Sequence, residues 1–126
     1  MKVAFDPNMP IYIQIMDFIK KQIITGQLQQ GEKLPSVRDL AAELQTNPNT
    51  VQRALQELER EGIAEARRGM GRYVTHEGEK IMEMKRDMSK ELISAFVSGM
   101  EALGVSEEEM LMLVQSALEQ RKGEAR

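Results

Sequence analysis

Apolar residues recur every three or four positions in five separate stretches of this chain. That spacing lines one face of a helix in each case. Ile11, Ile15, Phe18 or Ile19, and Ile23 mark the first helix, opened by Pro10 and ended by Gly26. Val37, Leu40, Ala41 and Leu44 mark a short second one, with Ser36 as its N-cap and Asp39 in its first turn. Gln45 and Thr46 break the stripe. Asn47 then offers a new N-cap and Pro48 a first helical position, where a missing N–H costs nothing. Val51, Ala54, Leu55 and Leu58 form the inner face of the third helix, which Gly62 closes. Ile63–Ala66 and Arg72–Thr75 read as a short hairpin around Arg67-Arg68-Gly69-Met70-Gly71. Beyond a linker at His76-Glu77-Gly78-Glu79, the pattern predicts a long helix from about Glu79 to Leu103 and, after Gly104, a last helix. Ser106 and Glu109 form the capping box of that last helix, and Arg121-Lys122-Gly123 ends it. The N-terminal Val3 and Phe5 are candidates to tuck against the domain.

The polar positions left over on the third helix carry the chemistry. Its first two turns expose Asn49, Thr50, Gln52 and Arg53, the amide, hydroxyl and guanidinium groups that pair with base edges and phosphates. A helix that offers such groups from its N-terminal end suits the major groove. Arg67, Arg68 and Arg72 crowd the hairpin with no acid among them, so the tip is suited to phosphates or a minor groove.

At these residues the chain resembles the GntR family of bacterial transcription regulators. GEKLPSVRDLA, NPNTVQRALQELEREG and GMGRYV carry the resemblance, and PIYIQIMDFIKKQIITGQL extends it upstream. It covers about Pro10 to Val74, and the short remainder is similar to the YtrA-like subgroup, whose tail is a small helical dimerisation region. The resemblance implies a winged helix-turn-helix that binds operator DNA as a homodimer. The family's PSxR arginine falls on Arg38. Its DNA-facing positions fall on Asn47, Pro48, Asn49, Thr50 and Gln52, and its wing-tip glycine on Gly69, beside Arg68. Two positions depart: Leu55 stands where the subgroup often has an aromatic residue, and Arg72 where the wing often has a hydroxyl. Arg72 as a DNA contact therefore rests on its charge.

Composition narrows the picture further. The chain has 126 residues, 41% of them hydrophobic, which is ordinary for a folded domain with a helical appendage. There is no cysteine, so disulfides and thiolate metal sites are excluded and a cytoplasmic setting is expected. No apolar run is long enough to span a bilayer, and no membrane partner is expected. The net charge of −3 looks unsuited to DNA until it is divided. Residues 1–35 carry four cations and three acids, residues 36–75 six of each, and residues 76–126 seven cations against eleven acids. The acidity sits in the tail and the wing arginines are locally unopposed, which is what electrostatic binding requires. No nucleophile–base pair or phosphate loop is present, so no enzyme activity, cofactor or metal is expected.

Several residues have a plainer reading beside the functional one. Lys20 and Lys21 suit the C-terminus of the first helix and read as a solvated face. Arg38 would otherwise pair with Asp39 or Glu43, and Arg53 with Glu57. Tyr12 reads as core. Glu57, Glu59, Arg60 and Glu61 read as a solvated far end. His76, the sole histidine, reads as an exposed linker residue.

Ile81, Met84, Met88, Leu92, Phe96, Met100 and Leu103 on one tail helix face Met110, Leu111, Leu113, Val114, Ala117 and Leu118 on the other. Two helices cannot bury so much apolar surface between themselves, and a two-fold homodimer is the commonest remedy. Met84, Met88, Leu92, Phe96, Met100, Leu111, Val114 and Leu118 are the expected dimer contacts. The expected fold is mostly α with a small β-hairpin: a winged helix-turn-helix over residues 1–75 and a C-terminal two-helix dimerisation hairpin over residues 76–126. The expected function is a sequence-specific transcriptional regulator, a homodimeric repressor on a near-palindromic operator of double-stranded DNA. Competing readings are a winged helix used for protein–protein contact and a regulator gated by a small-molecule effector in the tail.

Overall fold

The computed structural model describes residues 4–125. Five helices and a two-stranded hairpin follow in the order α1 (Ile11–Ile24), α2 (Val37–Leu44), α3 (Pro48–Arg60), β1 (Ala64–Arg67), β2 (Gly71–Val74), α4 (Gly78–Ala102) and α5 (Glu107–Glu124). The mostly helical fold with a small hairpin is thus as the periodicity predicts. The strands lie one residue earlier at β2 and one later at β1 than expected, so the turn is confined to Arg68-Gly69-Met70.

The chain divides into two compact units, the first running to Lys85 and the second starting at Arg86. The division falls inside α4, so the first turns of that helix belong with the winged module. In the first unit α3 packs against α1, α2 and β1. Its centre is Ile15, Ile19, Leu40, Val51, Ala54, Leu55, Leu58 and Val74, all essentially inaccessible. Each Val, Leu or Ile among them contributes about 1.5–3 kcal/mol relative to exposure, which outweighs the weak propensities of an eight-residue helix such as α2. On α1 the buried face is Ile15, Met16, Ile19 and Ile23; Ile11 is 42% exposed, so the inward stripe starts one turn later than the spacing predicts. Leu55, the departure from the subgroup pattern, is buried and faces this core rather than the polar side.

The hairpin is antiparallel, pairing Ala64 with Val74 and Arg67 with Gly71. The segment before α2 adds to its edge. Lys33 bridges Tyr73, Leu34 N–H donates to the Arg72 carbonyl at 2.8 Å, and Val74 N–H donates to the Glu32 carbonyl at 2.8 Å. At Gly31 the backbone φ of +79° is what calls for glycine; a Cβ there would also meet the His76 ring at 2.7 Å, which that exposed side chain could relieve by turning.

In the second unit Gly104 (φ +76°) turns the chain between α4 and α5, and the Glu109 N–H donates to Ser106 Oγ at 3.2 Å, as the capping box requires. α5 runs through Gly123 rather than ending there. Of its described residues only Met110 is buried. Met84 is 7% exposed and belongs to the first unit, so little of it is left for a partner chain to cover. Met88, Phe96 and Met100 are half-buried, while Leu92, Leu111, Val114 and Leu118 are exposed. Phe5 is half-buried, whereas Val3 lies outside the described residues. Among the described residues no helix is long and apolar enough to cross a membrane.

Candidate nucleic-acid interface

The turn between α2 and α3 sets the interface. Ser36 caps α2, accepting from the Asp39 N–H at 3.1 Å. At the other end Gln45 adopts a left-handed conformation (φ +52°, ψ +51°), the only positive φ outside glycine among the described residues. That conformation disfavours a side chain by about 1 kcal/mol. It brings Thr46 N–H onto the Ala41 carbonyl at 3.0 Å, which ends α2 abruptly. Asn47 then turns the chain into α3, its Oδ1 accepting from the Asn49 N–H at 2.8 Å, with Pro48 at the first helical position. Three residues thus join the two helices, the length a helix-turn-helix uses.

This cap divides the expected DNA-facing residues. Asn47 Oδ1 is committed to the helix end, so half of its amide is structural. Pro48, Asn49 and Arg53 are exposed, and Thr50 and Gln52 are half-exposed on the same polar side. Arg38 on α2 is exposed and takes part in no ion pair with Asp39 or Glu43. Arg53 does not pair with Glu57, which meets Arg60 at 3.4 Å instead. The Arg53 guanidinium lies over the Tyr12 ring, 3.8 Å from its centroid. Tyr12 is therefore half-buried at the edge of the polar face, not in the core. Pro10, Ile11, Tyr12, Asn49, Thr50 and Arg53 line a shallow open depression of about 560 Å³ there.

The wing arginines have three different surroundings. Arg68 and Gly69 stand exposed at the tip, where Gly69 (φ +75°) permits the tight turn. Arg67 lies over the Tyr73 ring at 3.9 Å and its Nη2 meets His76 Nε2. Arg72, expected to contact DNA on charge alone, is turned onto α3 instead: its Nε pairs with Glu59 and its Nη1 donates to Gln52 Oε1 at 3.5 Å. Glu59 is thereby not part of a solvated far end. Lys20 and Glu61 pair at 2.8 Å, tying α1 to the end of α3.

Behind the wing, Glu65 accepts from the buried Thr75 hydroxyl at 3.0 Å and from the His76 N–H at 3.3 Å. The Thr75 hydrogen bond first, then the His76 N–H, holds the Glu65 carboxyl below its usual value, with nearby His76 and Arg67 charge adding to the effect. Tyr12, Glu59 and Glu65 escape sequence reasoning because their partners come from other elements, and Gln45 because a left-handed backbone at a non-glycine residue leaves no sequence signal. Tyr12 continues the stripe Ile15–Ile19–Ile23 at helical spacing, so the sequence alone places it with the core.

The comparisons with known proteins agree with this arrangement. Residues 11–74 match the model of the family described as bacterial regulatory proteins, gntR family. Over 107 residues the chain is 43% identical to the HTH-type transcriptional regulator YhcF of Bacillus subtilis, covering 85% of this chain and 88% of that one. It is 40% identical over 111 residues to the HTH-type transcriptional repressor YtrA of the same organism, covering 86% and 85%. A solved GntR family transcriptional regulator from Listeria monocytogenes superposes with a TM-score of 0.85 at 41% identity, covering 89% of this chain and 98% of that one.

Proposed function

The chain belongs to the gntR family of bacterial regulatory proteins, as a DNA-binding transcriptional regulator and not an enzyme, and on that basis we propose that two copies together repress transcription from a near-palindromic operator. The observation that carries this reading is the exposed, polar N-terminal end of α3, capped by Asn47 and flanked by a wing whose Arg68 is open to phosphates. Asn49 and Gln52 read bases. Thr50, Arg38 and Arg53 hold the backbone, and Arg68–Gly69 seats the wing. A protein-docking face would instead present apolar anchors, which this end of α3 lacks.

The state of α5 supports the pairing of two chains. Leu111, Met112, Leu113, Val114 and Leu118 are all exposed, as are Leu92 and Ile93 on α4. An exposed apolar surface of that kind is rare on a monomer and marks an interface. A second copy covers it at no cost in new sequence, and brings two recognition helices to adjacent major grooves about 34 Å apart. The name of YtrA supplies the sign of regulation, as a repressor.

Selection of bound duplexes from a random pool tests the whole reading. The expected product is a near-palindrome with half-sites one helical turn apart; no enrichment, or a single half-site, contradicts it. Light scattering on Leu92→Glu should show a monomer where the unchanged chain shows a dimer.

A further inference from the structure

The contact between Arg72 and Gln52 bears on which base the recognition helix reads. Gln52 Oε1 accepts from Arg72 Nη1, while the same guanidinium is anchored through Nε to Glu59. All three side chains are partly buried, Arg72 with only 19% of its side chain exposed. The anchor matters, because a guanidinium held at one end by a carboxylate keeps its other nitrogens in fixed directions. With one lone pair of its oxygen facing an anchored cation, the Gln52 amide accepts less readily from a second donor and presents chiefly its NH₂. A glutamine reads adenine by using both groups at once, donating to N7 and accepting from N6. That two-point contact is disfavoured here, because the Arg72 guanidinium already lies against the oxygen. A donor finds two acceptors on guanine (O6 and N7) and one on thymine (O4), whereas on adenine the N7 acceptor stands beside the N6–H₂ donor, which would then go unanswered.

Resting on the assignment of Gln52 as a base reader, we propose that Arg72 is a positioning residue that biases Gln52 toward donating and so sets specificity without touching DNA. Arg72 contributes from the wing strand, and Glu59 from two turns further along α3. The device spans β2 and α3, and β2 must be in place before α3 acquires its preference.

The test is selection from a random duplex pool with the full chain, Gln52→Ala, Arg72→Met and Glu59→Gln in parallel. The position whose preference Gln52→Ala relaxes identifies the base read by Gln52. With Arg72 present that base should be guanine or thymine. Arg72→Met frees the amide oxygen and keeps the apolar stem, and should move the preference at that position toward adenine by about tenfold. Glu59→Gln loosens the guanidinium without removing it and should shift the same position in the same direction, less far. It also serves if Arg72→Met fails to fold. Adenine at that position in the unaltered chain overturns the inference. So does a uniform loss of affinity in both variants with base preference unchanged, the signature of a merely structural residue. A shallower salt dependence with unchanged preference also overturns it, because it would make Arg72 a phosphate contact. No enriched sequence from the unaltered chain would overturn the DNA-reading assignment itself, and this inference with it.

Discussion

The Arg53 guanidinium lies over the Tyr12 ring at 3.8 Å, fastening the N-terminal half of α3 to the first turn of α1. The stack holds a long cationic side chain at the rim of the polar face rather than leaving it free in solvent. A cation–π contact at an exposed site contributes about 0.5–1 kcal/mol. Tyr12→Ala should therefore weaken DNA binding by about two- to fivefold, regardless of sequence. Tyr12→Phe, which keeps the ring, should bind normally. Fluorescence anisotropy titrations with a labelled duplex measure both. Equal binding by all three proteins would mean that Arg53 needs no such seat.

Asn47 and Asn49 stand two positions apart and should separate cleanly. Asn47 caps α3, so Asn47→Ala should destabilise the fold by about 1 kcal/mol in urea titrations, and Asn47→Asp should restore it. Asn49 is exposed, so Asn49→Ala should leave stability within about 0.5 kcal/mol while costing about 1–3 kcal/mol of operator binding. The reverse pattern would reassign both residues.

Arg68 is the exposed cation of the wing tip. Arg68→Ala should weaken binding to operator and scrambled duplexes alike, and should make the slope of log affinity against log salt shallower by about one. A loss confined to the operator would make Arg68 a base reader instead.

Much of this site was legible in the sequence because it is made of local signals. Ser36, Asn47, Pro48 and Gly62 are helix punctuation, and the stripe Val51, Ala54, Leu55, Leu58 dictates which side of α3 faces out. The exposed polar residues on that side follow from the stripe. The pairings between distant elements were not legible. Nothing near Arg72 in sequence points to Glu59, thirteen residues earlier on another element, and charge alone made Arg72 look like a free wing cation. The edge contact of Glu32, Lys33 and Leu34 with β2 was not legible either, because one bridge and two backbone hydrogen bonds leave no period-two pattern. Met84 falls on the same heptad-like stripe as the tail residues, yet the boundary between the units passes just beyond it, and the stripe does not mark that boundary.

Glu65 gives the fold a defined acid sensitivity. Its carboxyl is held below the ordinary value of 4.5 by the Thr75 hydroxyl and the His76 N–H. A depressed folded-state value means that its contribution to stability is fully present above about 4.5 and is lost as pH falls through the lower, folded value. Glu65→Gln should remove that portion of the acid dependence, and Thr75→Val should reduce it. Thermal melts between neutral pH and pH 3 check this. An unchanged pH profile in Glu65→Gln would show that the carboxylate gains nothing from these partners.

Whether the open end of α3 is the surface that meets DNA is decided by amide chemical-shift mapping of the labelled chain during titration with its selected duplex. The expected perturbations cluster at Arg38, Asn49, Thr50, Gln52 and Arg53 and at the wing tip, Arg68 and Gly69. Shifts confined to α5, or to the Lys20–Glu61 side of the first unit, with residues 47–53 unmoved, would contradict the assignment.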